Sequence, residues 1–324
     1  MSNVEQPSPD APVPARRSVR QAMRDYLTLM RLPNVFTAMA DVAMGFLFVH
    51  PRPTDIEFWA LAFLLAASSL LYIAGVVFND VFDIEIDRIE RPNRPLPSGR
   101  VSLRGASKFG WKALLLGVLS AAIAGILVGH PRLGVVASVL AVCILLYDAR
   151  LKRTPFGPLG MGACRMLNVM LGMNAAAAPL RLEHWLVAGG IGVYVVGVTW
   201  FARTEAKRSS RWHLFFALAV MMSGVAMLAW FPHVSQNIIR PLQQQPQRWH
   251  LLIGLLGAMI AWRCLWAVMD PQPFRVQMAV RQSILSLVIL DAAACYAVCG
   301  VFSAVMILLL LLPAFWFGLW IDST

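Results

Sequence analysis

Charged residues are scarce in this chain of 324 residues, at 14% of the sequence, where a soluble domain carries about 25%. Its five cysteines all lie in apolar stretches, without a CxxC pair or a His/Cys ligand spacing, which argues against structural zinc and a disulfide framework. The Lys and Arg residues are not gathered on one soluble module, so we expect no nucleic-acid partner. These shortages exclude the commonest classes of soluble protein.

Long apolar runs are abundant instead, and 58% of the residues are hydrophobic. Two examples are FWALAFLLAASSLLYIAGVVF and VFSAVMILLLLLPAFWFGLW. About 20 consecutive apolar residues cross the hydrocarbon core as a helix. We therefore predict an all-α, polytopic transmembrane bundle of nine or ten helices in a lipid bilayer. The predicted spans are residues 33–50, 56–78, 105–128, 132–148, 157–178, 184–202, 212–232 and 248–269, followed by a run from 282 to 320 that divides at Gly300.

The first 30 residues form an arm without an apolar run long enough for a cleaved signal sequence, so we expect none. Four prolines predict disorder in its first half: Pro7, Pro9, Pro12 and Pro14. Residues 16–31 mix arginines with Met, Tyr and Leu, as a basic amphipathic helix on a membrane surface does. The rest of the chain, residues 31–324, is predicted to be one transmembrane domain.

The distribution of basic residues predicts the orientation of the chain. One set of alternate loops contains 20 Lys and Arg residues and the other contains five, within a net charge of +11. By the positive-inside rule, the N-terminus and the basic loops face the cytoplasm, and the protein is integral to the cytoplasmic membrane. The polar stretches 79–100, 147–154 and 203–211 all fall on that side.

An acidic segment follows the second predicted span, in the stretch YIAGVVFNDVFDIEIDRIERPNRPLPSGR from residue 72 to 100. On a helix with about 100° per residue, Asp83 and Asp87 fall at about −60° and −20° from Asp80. Asn79 falls at about −100° and Glu85 at about 140°, on the opposite side. Three carboxylates on one face repel one another, more strongly at a membrane boundary than in water.

Two explanations account for this acidic face. A hard cation such as Mg2+ prefers oxygen ligands and commonly bridges carboxylates to substrate phosphates, and the arginines that follow suit phosphate oxygens. The alternative is a solvated helix end whose acids pair with those arginines.

The order N-D-x-x-D-x-x-x-D followed by R-P-x-R-P-L-P-S-G-R resembles the first aspartate-rich motif of the UbiA superfamily of intramembrane prenyltransferases. The matching positions are Asn79, Asp80, Asp83, Asp87, Arg91, Pro92, Arg94, Pro95 and Gly99. The resemblance implies a helical bundle around a central cavity and Mg2+ as the cofactor, with these metal ligands: Asn79, Asp80, Asp83 and Asp87. It also implies two substrates, an allylic prenyl diphosphate and a lipophilic acceptor that is most often aromatic.

Two further stretches extend the resemblance into the predicted spans. RLPNVFTA is similar to the family's entry into its first helix, where Arg31 and Asn34 would line the pocket. CRMLNVMLG places Arg165 and Asn168 on one face of a span, where a charged side chain is functional by default. The alternatives are an arginine anchor at Arg31 and an Arg165 side chain that snorkels to the interface.

The loop YDARLKRTP is similar to the family's loop in which a Tyr precedes a Lys/Arg pair. The resemblance places Tyr147 near the reacting carbon, and Lys152 and Arg153 near the diphosphate. Arg91 and Arg94 of the first motif would bind the same diphosphate. The alternative is a positive-inside loop with an aromatic residue at the membrane interface.

Asp41 and Asp291 are two further acids that the predicted spans place inside the membrane. Acids are costly there, so both require partners. Each either hydrogen-bonds to neighbouring helices, the role we favour, or binds the acceptor.

The chain departs from the family pattern after the sixth span. Members usually carry a second aspartate-rich motif there, whereas GVTWFARTEAKRSSR has Glu205 as its only acid and Thr199 where an acid is expected. Glu205 is the candidate in this loop for binding substrate. Three outcomes are open: a modified metal site, a different isoprenoid or phosphate-bearing donor, or a relative without catalytic activity. The loop also resembles that of UbiA-like proteins from Ebo-type bacterial clusters.

Together these features predict an Mg2+-dependent prenyltransferase that moves a prenyl group from an allylic diphosphate to a lipophilic acceptor. The predicted catalytic residues are Asp80, Asp83, Tyr147 and Lys152. The alternative is a non-catalytic protein that binds or translocates a lipophilic metabolite through the same cavity. A secondary transporter is disfavoured, because no pair of Gly/Pro-interrupted helices occupies matching positions.

Overall fold

The fold is helical throughout the part of the chain that the computed structural model describes, which is residues 18–52, 54, 56–205 and 208–320. The helices are α1 Val19–Leu29, α2 Leu32–Val49, α3 Phe58–Phe82, α4 Ile84–Glu90, α5 Leu103–Leu127, α6 Arg132–Ala149, α7 Gly157–Met173, α8 Leu182–Ala202, α9 Arg211–Trp230, α10 Arg240–Gln244, α11 Pro246–Met269, α12 Pro273–Cys299, α13 Val301–Leu308 and α14 Leu311–Trp320. The predicted all-α class is therefore confirmed.

Nine segments within the described ranges are long and apolar enough to cross a membrane. They comprise α2, α3, α5, α6, α8, α9, α11, α12 and the consecutive pair α13 and α14. The helix α7 is shorter, at 17 residues, but packs against α2, α6 and α8 as part of the same bundle. The count agrees with the predicted nine or ten.

The predicted division of the last apolar run falls at Gly300. This glycine has a φ of +82°, a left-handed conformation in which a side chain would be strained, and it separates α12 from α13. The start of α12 differs from the prediction, because this helix begins at Pro273 and continues through Arg275 and Arg281 before the apolar run. Hydropathy alone therefore misses the polar first turns of this helix.

Two central helices, α2 and α7, pack backbone to backbone. A Cβ atom added at Gly45 of α2 would lie 2.3 Å from the carbonyl oxygen of Val169. One added at Gly172 of α7 would lie 2.2 Å from the carbonyl oxygen of Val42. Only glycine fits at either position, as is typical of close helix pairs in membranes. This close approach brings polar side chains of α2 and α7 within hydrogen-bonding distance.

The basic loops meet at one end of the bundle. Arg203, after α8, donates to the carbonyl oxygen of Pro155 in the α6–α7 loop at 3.3 Å. The amide of Ser209 donates to the carbonyl oxygen of Pro271, between α11 and α12, at 3.3 Å. The loops that the charge distribution assigns to one side thus share one end of the fold. Which side of the membrane this end faces stays a prediction.

The helix α1 is attached to the same end. Ser18 caps its first turn, and Asp25 accepts a hydrogen bond from Nη1 of Arg100 at 2.8 Å. This ion pair connects α1 to the loop that follows residues 79–87, the acidic motif. The predicted disorder of the proline-rich segment concerns residues 1–17, which lie outside the described residues, as do Arg16 and Arg17.

Candidate active site

The helix that carries the acidic motif is interrupted once. α3 ends at Phe82 and α4 begins at Ile84, with Asp83 between them at φ −99° and ψ 8°. The carbonyl oxygen of Asp83 still accepts a hydrogen bond from the amide of Asp87 at 2.8 Å, so the helical path continues. The polar side chains of the motif separate into two neighbouring pairs.

Asp80 and Asp87 form the first pair, with Arg94 between them. Nη1 of Arg94 lies 2.9 Å from Oδ2 of Asp87 and 3.4 Å from Oδ1 of Asp80. Nη2 of Arg31 donates to the same Asp80 oxygen at 2.9 Å. Burial, followed by the neighbouring charge of Arg31, lowers the pKa of Arg94, and Asp80 and Asp87 oppose that shift. Both carboxylates are buried, so these contacts are shielded from solvent.

Arg31 makes its contact from a strained backbone. At φ 45° and ψ 51°, it has the one positive φ among the described residues other than glycine. The left-handed region is unfavourable for a residue with a Cβ atom, and such strain concentrates at functional positions. The chain turns sharply here from α1 into α2, and the Arg31 side chain reaches Asp80.

Asn79 and Asp83 form the second pair, around Lys152. Nζ of Lys152 lies 2.7 Å from Oδ1 of Asn79 and 2.7 Å from Oδ2 of Asp83. Nη2 of Arg153 reaches Oδ1 of Asp83 at 3.1 Å. The α6–α7 loop is thereby fastened to the end of α3.

The two pairs explain how the predicted acidic face is arranged. Members of each pair are about 20° and 40° apart on the helical wheel, which is why each pair shares one basic side chain. Glu85, predicted on the opposite side, is exposed and pairs with Arg88 at 2.8 Å. In this structure all three carboxylates of the motif are paired with Lys or Arg, as the ion-paired alternative describes.

The donor atoms of the motif fit a hard cation, although they are not gathered as a metal site. Among the described residues, no group of three or more His, Cys, Asp or Glu side chains is close enough to hold a metal ion. The motif nevertheless offers carboxylate and carboxamide oxygens, the donors that Mg2+ prefers. Arg94 already bridges Asp80 and Asp87, where one positive charge contacts oxygens of both. Asp80 and Asp87 would contribute carboxylate oxygens to such an ion, which would supply positive charge at this point of the motif.

The end of α6 places two adjacent residues beside this cluster. Tyr147 is half-buried, and its ring lies against Gly160 of α7, where an added Cβ atom would be 3.1 Å from Cδ2. Asp148 is buried and lies within electrostatic reach of Lys152 and Asp83. Reasoning from sequence motifs missed Asp148, although it follows Tyr147 directly.

A second polar cluster joins α2 to α7 in the interior. Arg165 donates from Nη1 to Oδ2 of Asp41 at 2.7 Å and from Nη2 to Oγ1 of Thr37 at 2.9 Å. Asn168 donates to the same Asp41 oxygen at 3.2 Å and accepts from Ser68 at 2.9 Å. The guanidinium group is thus bonded inside the bundle, in contrast to the snorkelling alternative.

Tyr72 lies between the two clusters. Cζ of Arg165 is 5.8 Å from the centroid of its ring, and the side chain of Asn34 lies beside it. Tyr72 precedes Asp80 on α3 by two turns, a rise of about 12 Å. The structure therefore brings Arg31 to the acidic motif but keeps Arg165 deeper in the bundle.

The loop after α8 places Glu205 at the edge of the acidic motif. Burial raises the pKa of Glu205, while the charges of Arg91 and Arg31 oppose that shift. Arg91 is exposed. Glu205, in the depleted second loop, thus lies within electrostatic reach of Arg91 of the first motif and of Arg31. Lys207 of the same loop lies outside the described residues.

Three polar residues of these clusters give no usable signal in the sequence. Thr37 and Ser68 are small hydroxyl residues inside apolar runs, where such residues are common in membrane helices. Tyr72 is indistinguishable there from an aromatic residue that packs in the core. Their partners are far away in the chain, so only the packing of α2, α3 and α7 identifies them.

Solved structures share this arrangement of helices. A structure of digeranylgeranylglyceryl phosphate synthase in membranes has a TM-score of 0.64 and 20% identity, over 87% of this chain and 100% of that one. A UbiA homolog from Archaeoglobus fulgidus bound to GPP and Mg2+ has a TM-score of 0.62 and 14% identity, over 86% and 100%. At these identities the likeness shows the fold.

Curated relatives match part of the chain more closely. Digeranylgeranylglyceryl phosphate synthase from Methanococcoides burtonii is 33% identical over 140 residues, which is 41% of this chain and 48% of that protein. The enzyme of that name from Metallosphaera sedula is 34% identical over 151 residues, or 46% and 51%. The chain thus spans about half the length of the curated relatives it matches.

The family match is wider. Residues 38–268 match the profile described as the UbiA prenyltransferase family, a range that contains the acidic motif, the α6–α7 loop and Glu205. The predicted superfamily resemblance is confirmed by this match and by the shared fold. Since the matched range covers well over half of the chain, the protein belongs to the UbiA prenyltransferase family.

Proposed function

We propose that this protein is an intramembrane prenyltransferase that uses Mg2+ and transfers a prenyl group from an allylic diphosphate to a lipophilic acceptor. The observation that carries the proposal is the end of α3, where two pairs of oxygen donors are interleaved with basic side chains. Such a site offers ligands both for a divalent cation and for phosphate oxygens. Family membership and the fold support the same activity.

Binding of the donor redistributes the ion pairs of the motif. Arg94 and Lys152 turn from carboxylates to phosphate oxygens, which form strong charge-assisted hydrogen bonds with them. Arg91 and Arg153 are exposed and add further donors. The oxygens released in this way belong to Asn79, Asp80, Asp83 and Asp87. They would hold Mg2+, whose positive charge makes the diphosphate a better leaving group.

Prenyl transfer then follows from these positions. The bond between the allylic carbon and the diphosphate oxygen breaks, and its electron pair leaves with the diphosphate. Lys152 and Arg94 stabilise the negative charge that develops on that oxygen. Tyr147 offers an aromatic ring to the allylic cation, since cations favour aromatic faces. The acceptor atom forms the new bond to the allylic carbon with its own electron pair and loses its proton to the released diphosphate.

The acceptor distinguishes two versions of this proposal. The superfamily resemblance favours an aromatic acceptor. The names of the curated relatives favour a glyceryl phosphate lipid instead. Both acceptor classes are lipophilic. An assay with a panel that contains an aromatic acceptor and a glyceryl phosphate lipid distinguishes the two versions.

The test uses the purified full chain in lipid with Mg2+, a radiolabelled prenyl diphosphate and that panel. We expect a prenylated product together with released diphosphate. Asp80→Asn and Asp83→Asn should each lower turnover about 100-fold or more, because each replaces a charged carboxylate of the site with a neutral carboxamide. The matched control Glu85→Gln removes an exposed acid of the same segment and should retain activity.

Equal losses in all three variants would contradict the assignment of the acidic motif as the site of chemistry.

A second candidate function is binding or translocation of a lipophilic metabolite, which the single acid in the basic loop at 203–211 favours. Saturable binding of the prenyl diphosphate, without product or diphosphate release for any acceptor, would support that function and overturn our proposal.

A further inference from the structure

The second polar cluster, in the interior of the bundle, contains two acids, Asp41 and Asp291, and one arginine, Arg165. Asp41 of α2 and Asp291 of α12 are both 0% exposed, and their side chains contact each other. Arg165 bonds to Asp41 at 2.7 Å. If both acids were ionised, one negative charge would be left uncompensated inside an apolar bundle, which is strongly unfavourable.

The hydrogen-bond donors around the two acids are distributed unequally. Oδ2 of Asp41 receives hydrogen bonds from Arg165 and from Asn168. Oδ1 of Asp41 and both oxygens of Asp291 have no hydrogen-bond partner among the described residues. Donors stabilise the ionised form of a carboxyl group, so the negative charge belongs on Asp41. Asp291, which receives none, is the member of the pair that suits a bound proton.

We propose that Asp41 and Asp291 form a proton-binding site, in which Asp291 is protonated at neutral pH and donates a hydrogen bond to Oδ1 of Asp41. One proton removes the excess charge, gives the unpartnered Asp41 oxygen a donor and leaves the ion pair with Arg165 intact. Asp291 is thus a positioning residue, which acts on Arg165 through Asp41. The proposal rests on the interior contacts and is independent of the proposed catalytic function.

The other titratable groups that face this site do not supply the missing charge. Arg165, from α7, is already paired with Asp41. Tyr72, from α3, lies beside Arg165, and Cys295 follows Asp291 by one turn of α12. Neither a phenol nor a thiol becomes a cation, so a proton remains the simplest counter-charge.

Infrared difference spectroscopy on the purified full chain in lipid tests the bound proton directly. Subtraction of the Asp291→Asn spectrum from that of the unaltered protein should reveal the carbonyl stretch of a protonated carboxylic acid, shifted in D2O. Asn retains the size of Asp and keeps a donor for Asp41, so this variant should fold. The control Asp270→Asn removes an acid that pairs with Arg275 outside the bundle and should reveal bands of an ionised carboxylate alone. If the difference spectrum for Asp291→Asn showed bands of an ionised carboxylate alone, that result would overturn the proposal.

The pH dependence of unfolding gives a second readout. The unfolded chain releases the Asp291 proton above about pH 4, whereas the folded protein retains it. The unaltered protein should therefore lose stability relative to Asp291→Asn as the pH rises through that range and beyond, until the folded protein also releases the proton. Parallel Tm curves for the two proteins would contradict a bound proton, because a purely steric role does not depend on pH.

Asparagine substitutions at Asp41 and at Asp291 should also have different effects on Tm. Asp41→Asn removes the charge that holds Arg165 and should lower Tm at neutral pH, while Asp291→Asn, which keeps a hydrogen-bond donor for Asp41, should not lower it. Adding Arg165→Met to Asp41→Asn removes both charges and should recover part of the loss. A tolerated Asp41→Asn with a destabilised Asp291→Asn would reverse the assignment and overturn it. If Asp41→Asn fails to fold, the spectra and Tm curves of Asp291→Asn still decide.

Discussion

Lys152 makes two short hydrogen bonds to side chains of the acidic motif. Its Nζ atom joins Asn79 and Asp83 at 2.7 Å each. We expect Lys152→Met to lower kcat about 100-fold with a smaller change in KM, because its charge is needed most as the diphosphate departs. Steady-state kinetics measures both, with Lys108→Met as the control for loss of an exposed lysine. A change confined to KM would show that Lys152 binds substrate without assisting the reaction.

Glu205 leads to a prediction about pH. Burial raises its pKa in the folded protein, so the folded state holds the proton more tightly than the unfolded chain does. Its contribution to stability therefore falls as the pH rises through and above about 4.3, the usual value for Glu. The Tm advantage of Glu205→Gln should grow over this range and then level off. A constant Tm difference between Glu205→Gln and the unaltered protein over this range would refute the prediction.

The site was predictable to different degrees from one residue to the next. The spacing of acids in the motif is local, so the helical wheel alone separates Glu85 from the others. The partner of each acid depends on tertiary packing, since Lys152 is 69 residues from Asp83 in sequence. The wheel also treats the segment as one helix, and it therefore misses the break at Asp83.

Among the helices, α2 and α7 make a contact that is sensitive to a small change. We expect Gly172→Ala to destabilise the protein by about 1–3 kcal/mol, because the added methyl group meets the backbone of α2. It should also weaken the contact between Asp41 and Arg165. Gly254→Ala of α11 is the matched control, since nothing lies within 4 Å of its added Cβ atom. Thermal unfolding in lipid or detergent measures both, and equal Tm values would refute the close packing.

The helices themselves were largely predictable, because long apolar runs have no other stable conformation in a membrane. Gly300 marked the last boundary since glycine tolerates a positive φ. The early start of α12 was not predictable from hydropathy, as its first turns contain Arg275 and other polar residues. The backbone contact at Gly45 was also hidden, because a glycine in one helix does not identify the helix it meets.

The whole molecule has one end rich in basic loops, and the charge rule predicts that this end faces the cytoplasm. Single cysteines at Ser98, in the loop after the acidic motif, and at Gln236, in the loop after α9, mark the two ends in a background without the native cysteines. In intact cells, a membrane-impermeant maleimide should label Gln236→Cys and leave Ser98→Cys unlabelled until the membrane is opened. The reverse pattern would invert the topology.

The ion pairs at the end of α3 mean that the basic side chains have anionic partners before any substrate arrives. In the proposed reaction, an incoming diphosphate displaces internal carboxylates, and those carboxylates compete to return after the transfer. In that reaction, the competition weakens the hold of the resting protein on the released pyrophosphate. The by-product of the proposed reaction, which carries several negative charges, is thereby kept from blocking the next turnover.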